Sequence, residues 1–420
     1  MPTALETGLL TASGLPAGQR AFYEQQLLDT LRTKSILLPF TIMKEDFRAR
    51  DTGSIVYTEV MDTEPNWNAL SENTVWMTGA HLDSRTVTIN LEVHGDVIKI
   101  SDYNELVNYW NKGDLRGLVQ GKLGQNMVDT MDILARNAFL QAPYKLFGGN
   151  ATSRASLDAA DLFNPDIAEN VRTHLEEREV PGVASPDDNG SKSIVCVTTP
   201  RVIHDIRTGA GSKWLEVNEY AGATRKFTSE AGTWAGVRFV RTNRLRMQNY
   251  GAVVTQSTLD LASLPGQGAA AIVDNVYSVG QPNSVRYVQT VAIVGYAVGQ
   301  YVTIHSVGPA GTAPVEGDGT QETRRIVSID VPNKRMTFDR PLLKAHEIGS
   351  FVTNGIDVHA SIFMGGPGIV FGVGERATPL VLPVIDDLGM IRRFAWRSFS
   401  KMQLFRPEVF EVVESAGSIS

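Results

Sequence analysis

The stretch "TINLEVHGDVIKISDYNEL", residues 88 to 106, sets His94 between Glu92 and Asp96. These residue types suit an acid and base pair or part of a metal site, because alternate residues of an extended strand share a face. That face lies opposite Ile89, Leu91 and Val93 and is expected to be the solvated one. No second cluster with metal-ligand spacing supplies the remaining ligands of a closed site. A polar strand face is therefore favoured over a ligand set.

Other chemistries fare no better. The glycine run "FMGGPGIVFGVGERA" holds Gly365, Gly366, Gly368, Gly372 and Gly374. A phosphate cradle needs a lysine and a following helix, and Thr378, Pro379 and alternating apolar residues come instead. Turn or close-packing glycines are expected. There is no G-x-S-x-G and no H-E-x-x-H, and His305 and Ser306 are strand neighbours that point to opposite faces. Asp187, Asp188 and Asn189 lack the spaced ligands of a calcium loop. Cys196, the one cysteine, lies in the apolar run "SIVCVTT" and reads as a small core residue.

Charge is distributed more suggestively. Arg225, Lys226, Arg238, Arg241, Arg244 and Arg246 form one basic group. Arg392, Arg393, Arg397, Lys401 and Arg406, interleaved with Phe394, Trp396 and Phe399, form another. A nucleic-acid platform combines such residues, as does a surface meeting an acidic partner. Residues 51 to 85 carry Asp51, Glu59, Asp62, Glu64, Glu72 and Asp83 against the single Arg85, together with Trp67, Leu70 and Trp76. This reads as two strands around a Pro/Asn turn, an acidic hairpin without a core of its own, suited to lying on another surface. Self-association is favoured over intrachain pairing and over nucleic acid.

The elements that position these residues follow from periodicity. Phe22, Leu27, Leu28 and Leu31 predict a helix from Ala17 to Arg32, ended by Pro39. Ile89, Leu91 and Val93 predict a strand with a bend at Gly95, and Asp102 with Glu105 predicts a capping box. Leu115, Val119, Leu123, Met127, Met131, Leu134 and Ala138 then mark one stripe of a helix about 40 Å long. Gly113, Gly117 and Gly121 suggest a close backbone approach on one side of it. A helix near 166 to 178, a strand at 193 to 198, a helix from Pro200 to about Arg207 and a strand in "TWAGVRFVRT" follow. From 268 to 348 short β-branched strands predict a small all-β module, with a hairpin closed at Pro332 to Lys334. Residues 359 to 413 return to strands.

With 42% hydrophobic and 20% charged residues among 420, the chain has a globular composition. A formal charge of −7 argues against counterion release on a polyanion as its main task. The first residues show no basic leader, the longest apolar runs are far shorter than a membrane span, and synthesis in the cytosol is expected.

An arm, an acidic hairpin, a long helix and an α/β body without an active-site constellation suit an assembly protein. The segments "AGQRAFYEQQLLDTLRTKSILLPF", "TVTINLEVHGDVIKISDYNEL", "SIVCVTTPRVIHDIRTG", "KWLEVNEYAGATRKFTSEAGTWAGVRFVRT" and "FAWRSFSKMQLFRPEVFEVVES" resemble the major capsid proteins of tailed bacteriophages. The likeness is narrower to members with an L-E-x-x-G-D-V-I strand and a W-x-G-V-R-F-V strand. It covers residues 40 to 250 and 355 to 415.

The resemblance implies an α+β chain with the Hong Kong 97 type capsid fold. Its parts would be an N-terminal arm (1–50), an E-loop (51–87), a peripheral domain (88–192) with a spine helix (103–141), and an axial domain (193–267). An inserted small all-β domain (268–348) and an axial return with peripheral-domain strands (349–420) would complete it. Such subunits form hexamers and pentamers that close an icosahedral shell around double-stranded DNA, in the virion after assembly in the host cytoplasm. Scaffold, portal and decoration proteins are further implied partners, DNA contact is weak and non-specific, and no cofactor, metal or membrane is implied. The E-loop lysine through which some relatives crosslink has no counterpart, since residues 51 to 85 contain none.

The intersubunit contact expected from this pairs Trp67, Leu70 and Trp76 as apolar anchors and Glu59, Asp62 and Glu64 as carboxylates with Arg238, Arg241 and Arg244 of a neighbour. The β insert would decorate the outer surface or brace capsomers. Another virion component, such as a tail or decoration protein, and a hydrolase with an unrecognised site are the alternatives.

Overall fold

The computed structural model describes residues 35–46, 53–63, 82–101, 115–184, 192–216, 227, 229–260, 287–306, 311, 313–314, 321–340, 342, 346, 349–382 and 391–418. The chain forms two compact units, Met1–Ala138 with Pro367–Arg406, and Phe139–Gly366 with Pro407–Ser420. Residues 139–192, expected with the peripheral domain, thus group with the second unit. Strands are numbered along the chain.

The first unit holds a four-stranded sheet in the order β1-β19-β20-β4, from β1 (Thr41–Glu45), β19 (Ile369–Leu382), β20 (Ile391–Leu404) and β4 (Glu92–Ser101). Beside it, β2 (Ser54–Val60) and β3 (Ser84–Asn90) form a two-stranded antiparallel ribbon. The long helix α1 (Leu115–Phe139) buries Val119, Leu123, Met127, Val128, Met131, Ala135 and Ala138, an apolar stripe at helical spacing. The stripe passes through Ala135, and Leu134 is only half-buried. The helix ends two residues before the expected 141, since Ala142 precedes Pro143 and is steered away from helical backbone. Its expected capping box at Asp102 and Glu105, like the helix expected at 17–32, lies outside the described residues. A Cβ at Gly121 would meet nothing within 4 Å, so no close approach occurs there. Helix and sheet are joined where Trp396 Nε1 donates to Asn126 Oδ1 at 2.9 Å, and the Ser35 hydroxyl bonds the buried Asp132 carboxylate.

The strand carrying His94 differs from the expectation. Asn90 ends the ribbon in β3, Leu91 stands between strands, and β4 begins anew along β20, with Glu92 opposite Ser400 and His94 opposite Ser398. Changing partners re-aims the alternation: Ile89 and Leu91 are buried, but Val93 is 66% exposed. His94 shares the face of Ser398 and Trp396, both buried, and is itself half-buried. The sequence pattern placed the phase change after Gly95, whereas it occurs at Leu91. At Gly95 an added Cβ would lie 2.5 Å from the Trp396 carbonyl oxygen, so this position demands glycine for close approach.

The second unit is built on a nine-stranded sheet. Its path runs through β5 (Lys145–Phe147), β21 (Phe410–Ser415), β18 (Val358–Met364), β7 (Lys192–Thr198), β10 (Val237–Arg241), β9 (Glu230–Trp234) and β8 (Leu215–Glu216). The short strands β6 (Val183–Ala184) and β11 (Arg246–Met247) pair off this path with β7 and β18. Helices α2 (Pro165–Glu177) and α3 (Pro200–Ala210) each start with proline, as the N1 preference requires. Asn164 caps α2 by accepting from Ile167 N at 3.0 Å. Val171, Leu175, Val202 and Ile206 pack with Cys196, Phe239 and Phe363 into one core. "TWAGVRFVRT" proves to be two strands, because Ala235 and Gly236 at φ +48° and +77° close a tight hairpin between β9 and β10.

The same unit contains a six-stranded sheet in the order β12-β17-β14-β15-β16-β13. Its strands are β12 (Val253–Thr258), β13 (Tyr287–Gln289), β14 (Tyr301–His305), β15 (Glu322–Asp330), β16 (Arg335–Phe338) and β17 (Phe351–Gly355). Ile304, Ile326, Met336, Phe338 and Val352 form its own apolar core. The sheet begins and ends outside the expected limits of 268 and 348, since its first and last strands pair with each other. Lys334, at φ +50°, closes the β15–β16 hairpin as expected.

Candidate assembly surface

The ribbon is two-faced. Cross-strand pairs Ile55 with Ile89, Tyr57 with Val87 and Glu59 with Arg85 share one face, and every one of these residues is buried or half-buried. Ile55, Ile89 and Leu91 cluster with Val370 and Phe405. Gly372 and Gly374 of β19 make room for them: a Cβ would approach Ile89 to 3.3 Å at the first and Leu91 to 2.6 Å at the second. The glycine run therefore serves packing, as expected.

Farther along, the Phe405 ring meets Tyr57 edge-on at a centroid distance of 4.9 Å. The Arg85 guanidinium lies over the same ring and donates to the Phe405 carbonyl at 3.3 Å. Arg406 Nε donates to Glu59 Oε2 at 2.7 Å. The other face, Val56, Thr58 and Val60 with Ser84, Thr86, Thr88 and Asn90, is exposed and carries no charge. Beyond it Met61 and Leu82 are 43% and 67% exposed.

The residues expected at an intersubunit contact separate into three groups. Glu64, Trp67, Leu70 and Trp76 lie outside the described residues. Glu59 is engaged within the chain by Arg406, whereas Asp62 is exposed. On β10 and the turn after it, Arg241 is exposed, Arg244 half-buried, and Arg238 only 12% exposed, 3.9 Å from the buried Glu230 carboxylate. Arg238 therefore presents little charge to a neighbour.

Several members of the two basic groups are paired within the chain. Arg246 holds Asp357 at 2.9 Å, Arg397 holds Glu375 at 3.0 Å, and Lys401 pairs with Glu92. Arg225 and Lys226 lie outside the described residues. Two carboxylates on β21 are almost wholly buried and matched: Glu414 by Arg154 at 2.7 Å, Glu411 by Arg178 at 2.8 Å and His174 at 3.2 Å. Nothing in the spacing of the sequence points to Tyr57, Phe405 or Arg406 as a group. Apolar residues on both faces of "SIVYTEV" were a legible sign that neither face of that strand is a plain solvent face.

No catalytic geometry emerges among the described residues, and no group of His, Cys, Asp and Glu there could hold a metal. His305 is buried and bonds Thr353 at 2.8 Å, while Ser306 bonds Ser350. Burial pushes the Cys196 thiol well above the usual cysteine range, which fits a core residue. His359, buried on β18, bonds Thr199 through Nδ1 at 2.8 Å, and burial lowers its pKa to about 4. Also among the described residues, no helix is long and apolar enough to cross a membrane.

A family model described as phage capsid protein matches residues 137–379, more than half of the chain. The chain belongs to the phage capsid protein family. Among solved structures it is similar to the capsid of Ralstonia phage GP4, at 13% identity over 90% of this chain and 87% of that one, with a TM-score of 0.52. The cyanophage P-SCSP1u capsid, at 9% identity over 91% and 89% of the two chains, gives a TM-score of 0.47. No curated protein sequence matches. The fold is thus the Hong Kong 97 type capsid fold, and this capsid protein is a structural component of the virion that self-associates into the phage shell.

Proposed function

We propose that the capsid protein assembles as hexamers and pentamers that close an icosahedral shell around double-stranded DNA. In this reading the first unit is the peripheral domain with spine helix α1, the second is the axial domain, and the six-stranded sheet is an insert. The ribbon is the root of an E-loop whose distal part, residues 61–83, lies over a neighbouring subunit. Trp67, Leu70 and Trp76 anchor it there, and Asp62 and Glu64 face Arg241 and Arg244 of that neighbour. Glu59 and Arg238, each held by a partner within its own chain, have a positioning role instead.

The observation that carries this reading is the strict alternation of exposure along the ribbon. One face is tied to its own subunit and the other is uncharged, apolar in part and open. Without a lysine in residues 51–85, the contact is noncovalent. Electron microscopy of the purified chain tests the shell. Closed particles tens of nanometres across are expected, and tubes or small oligomers would point to a tail or decoration protein. Arg241→Glu with Arg244→Glu should lower particle yield severalfold, and normal particles would remove those arginines from the contact.

A further inference from the structure

We propose that Phe405 and Arg406 form a clamp that lays the ribbon flat on its own sheet and so presents the Val56–Thr58–Val60 face to a second copy of the chain. The inference rests on the shell reading above and adds to it how the ribbon is aimed. An isolated two-stranded ribbon is marginal in water, and seven residue pairs alone do not fix its direction. At its root, Ile55 and Ile89 fix one point by burial against Val370 and the glycine path of β19.

A second fixed point is needed to hold its angle, and the dipeptide supplies it. Phe405 is 4% exposed and takes Tyr57 on its ring and Arg85 at its ring and carbonyl. Arg406 reaches the pair opposite, since Glu59 and Arg85 face each other across the ribbon. Glu59 and Arg406 side chains are 25% and 28% exposed, sheltered enough for a charge-assisted bond to count. Both residues are anchored in turn, because the backbone N–H groups of Phe405 and Arg406 donate to the Gly368 carbonyl at 3.0 and 2.9 Å.

The clamp engages the charged face of the ribbon within the subunit, so the face left over is uncharged. Val56 and Val60 are 56% and 63% exposed there, and Thr58 and Thr86 bond each other at 3.0 Å without using outside partners. By the alternation this face carries on to Leu82, 67% exposed, opposite the exposed Asp62, where the segment assigned to the neighbour begins. The subunit of a self-assembling shell meets copies of itself on its edges, and an apolar strip continuous with such a contact is one they cover.

The test uses the full chain before assembly, read by amide hydrogen exchange over 56–60 and 84–88. Arg406→Gln and Glu59→Gln should each speed exchange about tenfold, and the exchanged pair Glu59→Arg with Arg406→Glu should restore much of the protection. Unchanged exchange in the single variants would overturn the clamp. Val56→Lys should leave exchange as it is and cut shell yield at least severalfold, and normal yield would overturn the presented face. Should the wild-type chain form no closed shells, the shell reading fails while the exchange data still decide the clamp.

Discussion

His359 makes the stability of the second unit depend on acid in a calculable way. The ring is 1% exposed on β18, with Nδ1 bonded to the Thr199 hydroxyl and Nε2 enclosed beside Gly417. Burial is the main cause that lowers its pKa from 6.5 to about 4, Arg201 and Arg246 reinforce it, and Asp357 and Asp205 oppose it. The folded state therefore favours the neutral ring, and the unfolded chain binds the proton more readily. Stability is full above pH 6.5, falls as pH drops through that value, and levels off near pH 4. At ~1.4 kcal/mol per pH unit, that interval is worth roughly 3 kcal/mol. Urea unfolding of the unassembled chain at pH 7.5 and pH 4, compared with His359→Asn, isolates the effect because the variant keeps a polar partner for Thr199 and has no proton to gain. The wild type should lose roughly 3 kcal/mol more than the variant on acidification. Parallel losses in the two proteins would refute a buried neutral histidine.

Three further substitutions probe the packing. Arg154→Ala removes two charge-assisted bonds from the Glu414 carboxylate, 1% exposed, while Lys145 remains near it, and should lower stability by about 3 kcal/mol in thermal unfolding. Gly374→Ala would drive a methyl to 2.6 Å from Leu91 and should cost about 1–3 kcal/mol. Gly121→Ala, which meets nothing within 4 Å, should raise stability by up to about 1 kcal/mol through the helix.

What could be read from the sequence was local. The α1 stripe from Val119 to Met131 and the prolines opening α2 and α3 follow from spacing and backbone chemistry. The face of His94 does not, because the alternation is reset where the chain leaves β2 for β20, a change of partner some 300 residues away in sequence. Arg238 looks like a free cation until the β9–β10 hairpin brings Glu230 beside it, and that hairpin turns on Ala235, a residue seldom found at positive φ. Glu59 was assigned to a neighbour for the same reason, since its partner Arg406 lies 347 residues away.

The pattern of these differences bears on how the subunit is built for assembly. Glu59, in a sheltered pair, and Glu92, in an exposed and salt-screened one, both serve to position strands within the subunit. Here they are matched within the chain, by Arg406 and Lys401, at the end of β20 and its exit. β20 also pairs with β4 from Ile391 to Ser400 and carries Trp396 to helix α1. One strand therefore ties ribbon, edge strand and helix together. A change at residues 405–406 is expected to loosen the ribbon without unfolding the sheet, because the β19–β20 ladder ends at Leu404 and the β4–β20 ladder at Ser400. Beside the charged contact proposed for Asp62, Glu64, Arg241 and Arg244, the proposed uncharged ribbon face adds burial that is insensitive to the salt that weakens ion pairs.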